Sequence, residues 1–322
     1  MEKVFEQMRD TGIIPVIKID KAEHAVPLAK ALIAGGISIA EVTYRTNAAE
    51  EAIRCILSAC PDMLVGAGTV TSKELAESAI NAGAKFIVAP GFNPSVVDYC
   101  LARNVPIIPG VSSPTQIEES LNRNLTVLKF FPAEMLGGVK MLEAFAGPFN
   151  QTLFVPTGGI NTDNLGDYAK CKNVLAVGGT WIVKSETISE EKWDTITASC
   201  KEALLKIQGF TLGHVGINAG DADEAQQTAE SLSLFGFPIS ELPVSFFCGT
   251  EFEVMKANGR GTHGHIGFMV NNIERSLWYL SRLGYKPVME TAQYIGEKEK
   301  SPLKFIYLDK PIGGFAVHLK RK

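Results

Sequence analysis

Lys129 stands alone in an apolar run, Thr-Val-Leu-Lys-Phe-Phe-Pro-Ala-Glu at 126–134. Beside Leu128, Phe130 and Phe131, burial penalises an ammonium and favours the neutral amine, which can condense with a ketone to give a Schiff base. A lysine in an arbitrary strand would instead lay its stem on the core and keep its charge in water, so its neighbours decide. Glu41 and Arg45, in Glu41-Val-Thr-Tyr-Arg45, supply a carboxylate able to move protons and a planar fork suited to binding a carboxylate. Thr69, at the end of Gly66-Ala-Gly-Thr69, adds a neutral donor.

Residues that react together must be brought together, and the pattern from residue 13 to about 180 says how. Eight β-branched runs, at 13–17, 37–42, 63–65, 85–88, 106–108, 126–130, 152–155 and 174–177, alternate with helical segments. That alternation predicts parallel strands joined by crossover helices. Six such units would indicate an open doubly wound sheet; eight favour closure into an α/β (β/α)8 TIM barrel, whose catalytic groups sit at the C-terminal strand ends. In order, those ends are Lys18, Glu41 with Arg45, Gly68-Thr69, Pro90-Gly91, Pro109-Gly110, Lys129, Thr157-Gly158-Gly159 and Gly178-Gly179-Thr180. Packing alone gives no reason for polar residues and glycines to gather on one rim. The glycine pairs after the seventh and eighth strands can bring backbone N–H groups and helix N-termini onto a phosphate, although any tight strand-to-helix turn also uses glycine. Gly158, Gly159, Gly179 and Thr180 are the candidates.

The 322 residues exceed ordinary single-domain size, so two domains are expected. A net charge of −4 gives no electrostatic footprint for nucleic acid or an anionic membrane, so an anionic substrate must be held by local groups. Six cysteines without a C-x-x-C pair or regular spacing predict reduced thiols in a cytoplasmic protein. The amphipathic, charged start is unlike a secretory leader, and no apolar run approaches the ~18 residues of a membrane span.

After a long helical segment at 193–208 the character changes, which sets the expected domains at 1–208 and 209–322. Gly213-His214-Val215-Gly216 is echoed about fifty residues later by Gly264-His265-Ile266-Gly267. Each copy continues through a helix into short alternating strands, the last carrying Phe252-Glu253-Val254 or Ala316-Val317-His318. A smaller α+β domain of two βαβββ modules follows.

The runs Glu41–Arg45, Gly66–Thr69, Lys129–Glu134, Pro156-Thr-Gly-Gly-Ile160 and Gly178-Gly-Thr-Trp181 resemble the 2-keto-3-deoxy-6-phosphogluconate aldolases, which also act on 4-hydroxy-2-oxoglutarate. The resemblance covers about residues 3–208. It implies a class I aldolase in which Lys129 forms the Schiff base with pyruvate, Glu41 moves protons, and Arg45 and Thr69 hold the pyruvate carboxylate. It further implies no cofactor for the aldolase, a phosphorylated 2-keto-3-deoxy sugar acid as substrate, and a homo-oligomer, usually a trimer. Thr157 is expected as a second hydroxyl near the substrate, and Pro90 and Phe131 as the wall around the pyruvyl group, with ordinary packing the other reading of all three. Thr180 stands where members often carry serine, and Lys18 where many carry arginine. Phosphate-binding isomerases share the barrel and its glycine turns but do not require Lys129, Glu41 and Arg45 together. A barrel acting on a related sugar acid and a non-catalytic metabolite-binding or assembly protein are the other readings.

The Gly-His-(Val/Ile)-Gly heads resemble the vicinal oxygen chelate, or glyoxalase-like, superfamily over about residues 210–320. That resemblance implies a divalent metal held by His214, Glu253, His265 and His318, a set suited to zinc, iron, manganese or nickel. Glu251 competes with Glu253, and the histidines can equally be packed relics of duplication. Catalysis, metabolite binding and assembly all remain open for this half.

Overall fold

The computed structural model describes residues 2–297 and 301–322. It divides into two compact units, one ending at Ile207 and the next beginning at Gln208.

The first unit is a ring of eight parallel strands. Ile107–Ile108, Ile87–Val88, Leu64–Gly68, Ile39–Thr43, Ile13–Ile17 and Val177–Gly179 lie side by side in that order; Gly110–Val111, Val127–Phe130 and Leu153–Pro156 form a second set. Two features join the sets. Ile107–Ile108 and Gly110–Val111 are one strand interrupted at Pro109, which has no N–H for the ladder, while its carbonyl still accepts from Lys129 N at 2.9 Å. On the other side, bridges Phe154↔Val174 and Thr157↔Gly178 close the ring between the seventh and eighth strands. The strands Ile13–Ile17, Ile39–Thr43, Leu64–Gly68 and Val127–Phe130 are buried along their length, as expected when helices cover a parallel sheet. Each buried Ile or Leu here contributes about 1.5–3 kcal/mol.

Glycine hid parts of these strands from the sequence reading. The third strand, expected at 63–65, runs on through Gly66 and Gly68, and the eighth, expected at 174–177, is Val177–Gly179, with Val174 only bridging. Glycine is disfavoured in strands, and it is used here where another side chain fills the space. A Cβ on Gly66 would lie 2.3 Å from the Phe86 ring, and one on Gly178 would lie 2.3 Å from Thr157 Oγ1. The crossover helices begin with local caps: Ser72 accepts from Leu75 N, and Asn93 accepts from Ser95 N just before Pro94. The helix Trp193–Gln208 follows the last strand and buries Ile196, Cys200, Ala203, Leu204 and Ile207 at helical spacing.

The second unit is one eight-stranded sheet. Its order is Ile239–Glu241, Ser245–Cys248, Phe252–Met255, Thr211–Asn218, Gly264–Val270, Phe315–Arg321, Leu303–Leu308 and Pro287–Tyr294. Each half is a βαβββ module in which the first strand pairs in parallel with the last, and the two first strands meet antiparallel at the centre. Helices Ala222–Ser233 and Ile273–Ser281 belong to the two modules. Core residues alternate along the strands: Phe246, Cys248 and Val254 pack with Ala225 and Ala229, while Ile306, Val317 and Leu319 pack with Ile273. The residues between them point to the opposite face.

All six cysteines are free. Among the described residues, no helix is long and apolar enough to cross a membrane.

Candidate functional site

Lys129 projects from the sixth barrel strand and Glu41 from the second, on opposite sides of the ring. Lys129 Nζ stands 3.4 Å from Glu41 Oε1, with both side chains almost fully buried. Their pairing register, Gly110↔Lys129↔Val155 and Val16↔Glu41↔Gly66, puts a glycine on one side and a valine on the other of each long polar residue. Gly68 clears the remaining space, because a Cβ there would fall 2.1 Å from Glu41 Oε1. The Phe131 ring lies 5.3 Å from Lys129 Nζ and forms an apolar wall. An amine next to a carboxylate, in a site closed to bulk water, can exchange a proton without solvent.

Arg45 and Thr69 meet at the rim, with Arg45 Nε donating to Thr69 Oγ1 at 3.1 Å. Thr69 adopts φ 58°, a left-handed conformation unusual for a non-glycine residue. Thr43 was missed in the sequence reading: its hydroxyl donates to Ile17 O at 2.8 Å and ties the second strand to the first just before Lys18. Lys18 is half-exposed and pairs with Asp20 at 2.8 Å. The carbonyl of Pro90 closes on Gly110, where a Cβ would be 2.2 Å away.

The two glycine turns have different surroundings. Gly158 and Gly159 have φ of 100° and 81°, and Gly158 packs against Pro132 and the Phe131 ring. Thr157 is buried. Gly179 lies under Trp181, whose ring would be 1.5 Å from an added Cβ, so the indole requires this glycine whatever binds beside it. Thr180 next to it is exposed. The helices beyond the turns, Leu165–Lys170 and Ser185–Ser189, are only six and five residues long. Helix N-termini therefore lend little to an anion here, and the expected contribution reduces to the backbone of the turns.

In the second unit, cross-strand pairing aligns two rows on the face opposite the core. One is Phe247, Glu253, Gly216 and His265; the other is His214, Gly267, His318 and Tyr307. The repeated glycine of each head makes room for imidazoles. A Cβ on Gly216 would lie 2.1 Å from the His265 ring, and one on Gly267 would lie 2.6 Å from His318 and 2.8 Å from His214. His214 Nε2 is 3.0 Å from His265 Nε2 and 3.3 Å from His318 Nε2, and Glu253 Oε2 is 3.2 Å from His265 Nε2 and 3.4 Å from His214 Nε2. Glu251 turns elsewhere, accepting from Thr250 N, so Glu253 is the carboxylate that joins the histidines. Ser245 donates to its other oxygen at 2.9 Å. Burial opposes ionisation of Glu253, but hydrogen bonds from His214, His265 and Ser245 outweigh it and hold the carboxyl well below its usual range. Burial, then the neighbouring His214 and His265, push His318 down to about 3, which leaves it neutral at pH 7.

A buried lysine facing a carboxylate inside the mouth of a (β/α)8 barrel is the arrangement that a lysine-dependent aldolase of the lyase class requires. The comparisons carry this to a family: the description “Aldolase: KDPG and KHG aldolase” matches residues 4–199, and the chain belongs to that family. It is 48% identical over 204 residues to the 2-dehydro-3-deoxy-phosphogluconate aldolase of Treponema pallidum (strain Nichols), covering 63% of this chain and 97% of that protein. It is 43% identical over 200 residues to the KHG/KDPG aldolase of Escherichia coli (strain K12), covering 62% of this chain and 94% of that protein. A solved KDPG aldolase from Legionella pneumophila, with pyruvate captured as a covalent carbinolamine, is 40% identical with a TM-score of 0.61; the match covers 62% of this chain and 97% of that one.

Proposed function

We propose that the first unit cleaves 2-keto-3-deoxy-6-phosphogluconate to pyruvate and glyceraldehyde 3-phosphate through a Schiff base on Lys129, and 4-hydroxy-2-oxoglutarate to pyruvate and glyoxylate by the same steps. The observation that carries this reading is the buried 3.4 Å contact between Lys129 Nζ and Glu41 Oε1. The neutral amine attacks the C2 ketone to give a carbinolamine, which loses water as an iminium ion. Glu41 takes the proton of the C4 hydroxyl as the C3–C4 bond breaks, and the bonding electrons pass into the iminium to leave an enamine and the aldehyde. An acid then protonates C3, and water releases pyruvate and restores the amine. Glu41, having gained a proton, can return it at that step. Arg45 and Thr69 hold the substrate carboxylate and so fix C2 opposite the amine. The turns at Gly158–Gly159 and Gly179–Thr180 hold the phosphate with backbone N–H groups. Pyruvate release coupled to lactate dehydrogenase tests the reading; no release from either substrate would return the protein to a binding or assembly role.

For the second unit, the convergence of three Nε2 atoms and a carboxylate oxygen supports a divalent transition metal held by His214, Glu253, His265 and His318. Ligands about 2.0–2.1 Å from one ion stand about 3.0–3.4 Å apart at octahedral to tetrahedral angles, the spacing of His214 from His265 and His318 and of Glu253 from His214 and His265. The three histidines form the core of the set, with their donor atoms all within 4.8 Å of one another. A single N–H cannot satisfy three facing imidazole nitrogens, whereas a cation can. One feature of a typical metal site is missing: His318 Nδ1 is buried without a hydrogen-bond partner among the described residues. A bound ion would act as a Lewis acid on oxygen ligands.

A further inference from the structure

Lys129 and the Gly158–Gly159 turn belong to neighbouring strand ends, yet a two-ended substrate needs their separation held to within a fraction of an ångström. We propose that Tyr168 and Glu134 form a strut that fixes this separation, making them positioning residues for the phosphate end of the substrate; the proposal rests on the reading of that turn as the phosphate site.

Glu134 follows Lys129 by five residues, and its carboxylate accepts a hydrogen bond from the hydroxyl of Tyr168. Tyr168 is completely buried, in the helix Leu165–Lys170 that succeeds the turn. The strut thus runs from the segment leaving the lysine strand to the helix leaving the glycine strand. The turn itself is pressed between them. Glu134 N donates to Gly158 O at 3.1 Å and Ala133 N donates to Thr157 O at 2.8 Å. A Cβ on Gly159 would lie 2.6 Å from Glu134 Cβ and Cγ, so this glycine is required by the strut as well as by its own φ. Asn164, one helical turn before Tyr168, donates to Gly159 O at 3.2 Å and accepts from Asn161 N at 2.9 Å, bracing the turn from the other side.

The strut has an electrostatic side too. An exposed carboxylate next to a phosphate turn would repel its ligand, and the Tyr168 hydroxyl is the group that holds one Glu134 oxygen toward the helix. Burial and the Glu134 carboxylate raise the pKa of that hydroxyl, so it remains a donor through the physiological range. Loss of the hydroxyl therefore has two effects with the same sign: the turn drifts from Lys129, and a negative charge is released beside it. Both fall on a phosphorylated substrate. A short substrate without the phosphate uses Lys129, Glu41, Arg45 and Thr69 and does not depend on that turn.

The experiment measures kcat and KM for 2-keto-3-deoxy-6-phosphogluconate and for 4-hydroxy-2-oxoglutarate with wild type, Tyr168→Phe and Glu134→Gln. Tyr168→Phe should raise KM for the phosphorylated substrate about tenfold or more, the worth of one hydrogen bond to a charged group, while leaving both constants for the short substrate unchanged. Glu134→Gln keeps an oxygen that accepts from Tyr168 but loses the charge, so it should raise KM for the phosphorylated substrate less than Tyr168→Phe does. Equal losses on the two substrates, or none on either, would overturn the strut. A wild type with no preference for the phosphorylated substrate overturns the phosphate reading itself, and is recognised before any variant is made. If Tyr168→Phe does not fold by circular dichroism, Asn164→Ala probes the same turn: a selective rise in KM for the phosphorylated substrate is expected, and its absence counts against the proposal.

Discussion

Gly68 and Glu41 share a space that admits only one side chain. A Cβ on Gly68 would lie 2.1 Å from Glu41 Oε1 and 2.6 Å from its Cγ, so the carboxylate reaches Lys129 because the neighbouring strand carries no side chain at this point. Gly68→Ala should leave the barrel folded, since the carboxylate can swing away, yet lower kcat on the order of 10²-fold, the effect of a small misplacement of a reacting group. Circular dichroism and steady-state kinetics on the same preparation check both halves; an unchanged kcat would show that the position of Glu41 is not critical.

Borohydride added in the presence of pyruvate should leave a stable pyruvyl mass on Lys129, read by peptide mass spectrometry. Lys129→Ala should remove both the adduct and aldol cleavage, because no other group supplies the electron sink. An adduct on a different lysine would refute the assignment.

Glu41→Gln retains the size of the side chain and removes its basicity. A fall in kcat of about 10²- to 10⁴-fold is expected for the loss of a general base, with pyruvate still trapped on Lys129. If trapping fails as well, Glu41 acts in forming the imine and not only in C3–C4 cleavage.

Arg45→Met should reduce kcat/KM for both substrates by roughly 10- to 100-fold, corresponding to about 1.5–3 kcal/mol for hydrogen bonds to a charged group. Both substrates carry the carboxylate that Arg45 and Thr69 are proposed to hold. Dependence confined to the phosphorylated substrate would assign Arg45 to the phosphate instead.

His214→Ala and His265→Ala should each lower the bound transition metal measured by elemental analysis after reconstitution, and Gly216→Ala should do so by crowding the His265 ring from 2.1 Å. Aldol cleavage should persist in chelator, since the imine replaces a Lewis acid. Wild-type protein that takes up no metal would leave the histidines as packed residues and the second unit as a binding or assembly module.

Sequence alone determined the elements and singled out Lys129. Periodicity and strand ends located the eight barrel strands, and Lys129 stood out through the company of Glu41, Arg45 and the glycine-rich strand ends, since a lone lysine in an apolar run ordinarily packs its stem and keeps its charge in water. The repeated Gly-His-x-Gly likewise located two matching strands. What only the tertiary structure decided are relationships across the chain. Glu41 meets Lys129 over a separation of 88 residues because ring closure sets the second strand opposite the sixth. Glu253, not Glu251, joins the histidines because Glu253 lies within the strand opposite Gly216, whereas Glu251 precedes the strand and its carboxylate accepts from Thr250 N. The strands at Gly66–Gly68 and Gly178–Gly179 were cut short in the sequence reading because glycine signals a turn locally, whereas here it admits Phe86, Glu41, Thr157 and Trp181. The Tyr168–Glu134 link left no local signal at all: its two residues lie on different elements, and hydrogen-bond geometry between them exists only once both strands have taken their places in the barrel.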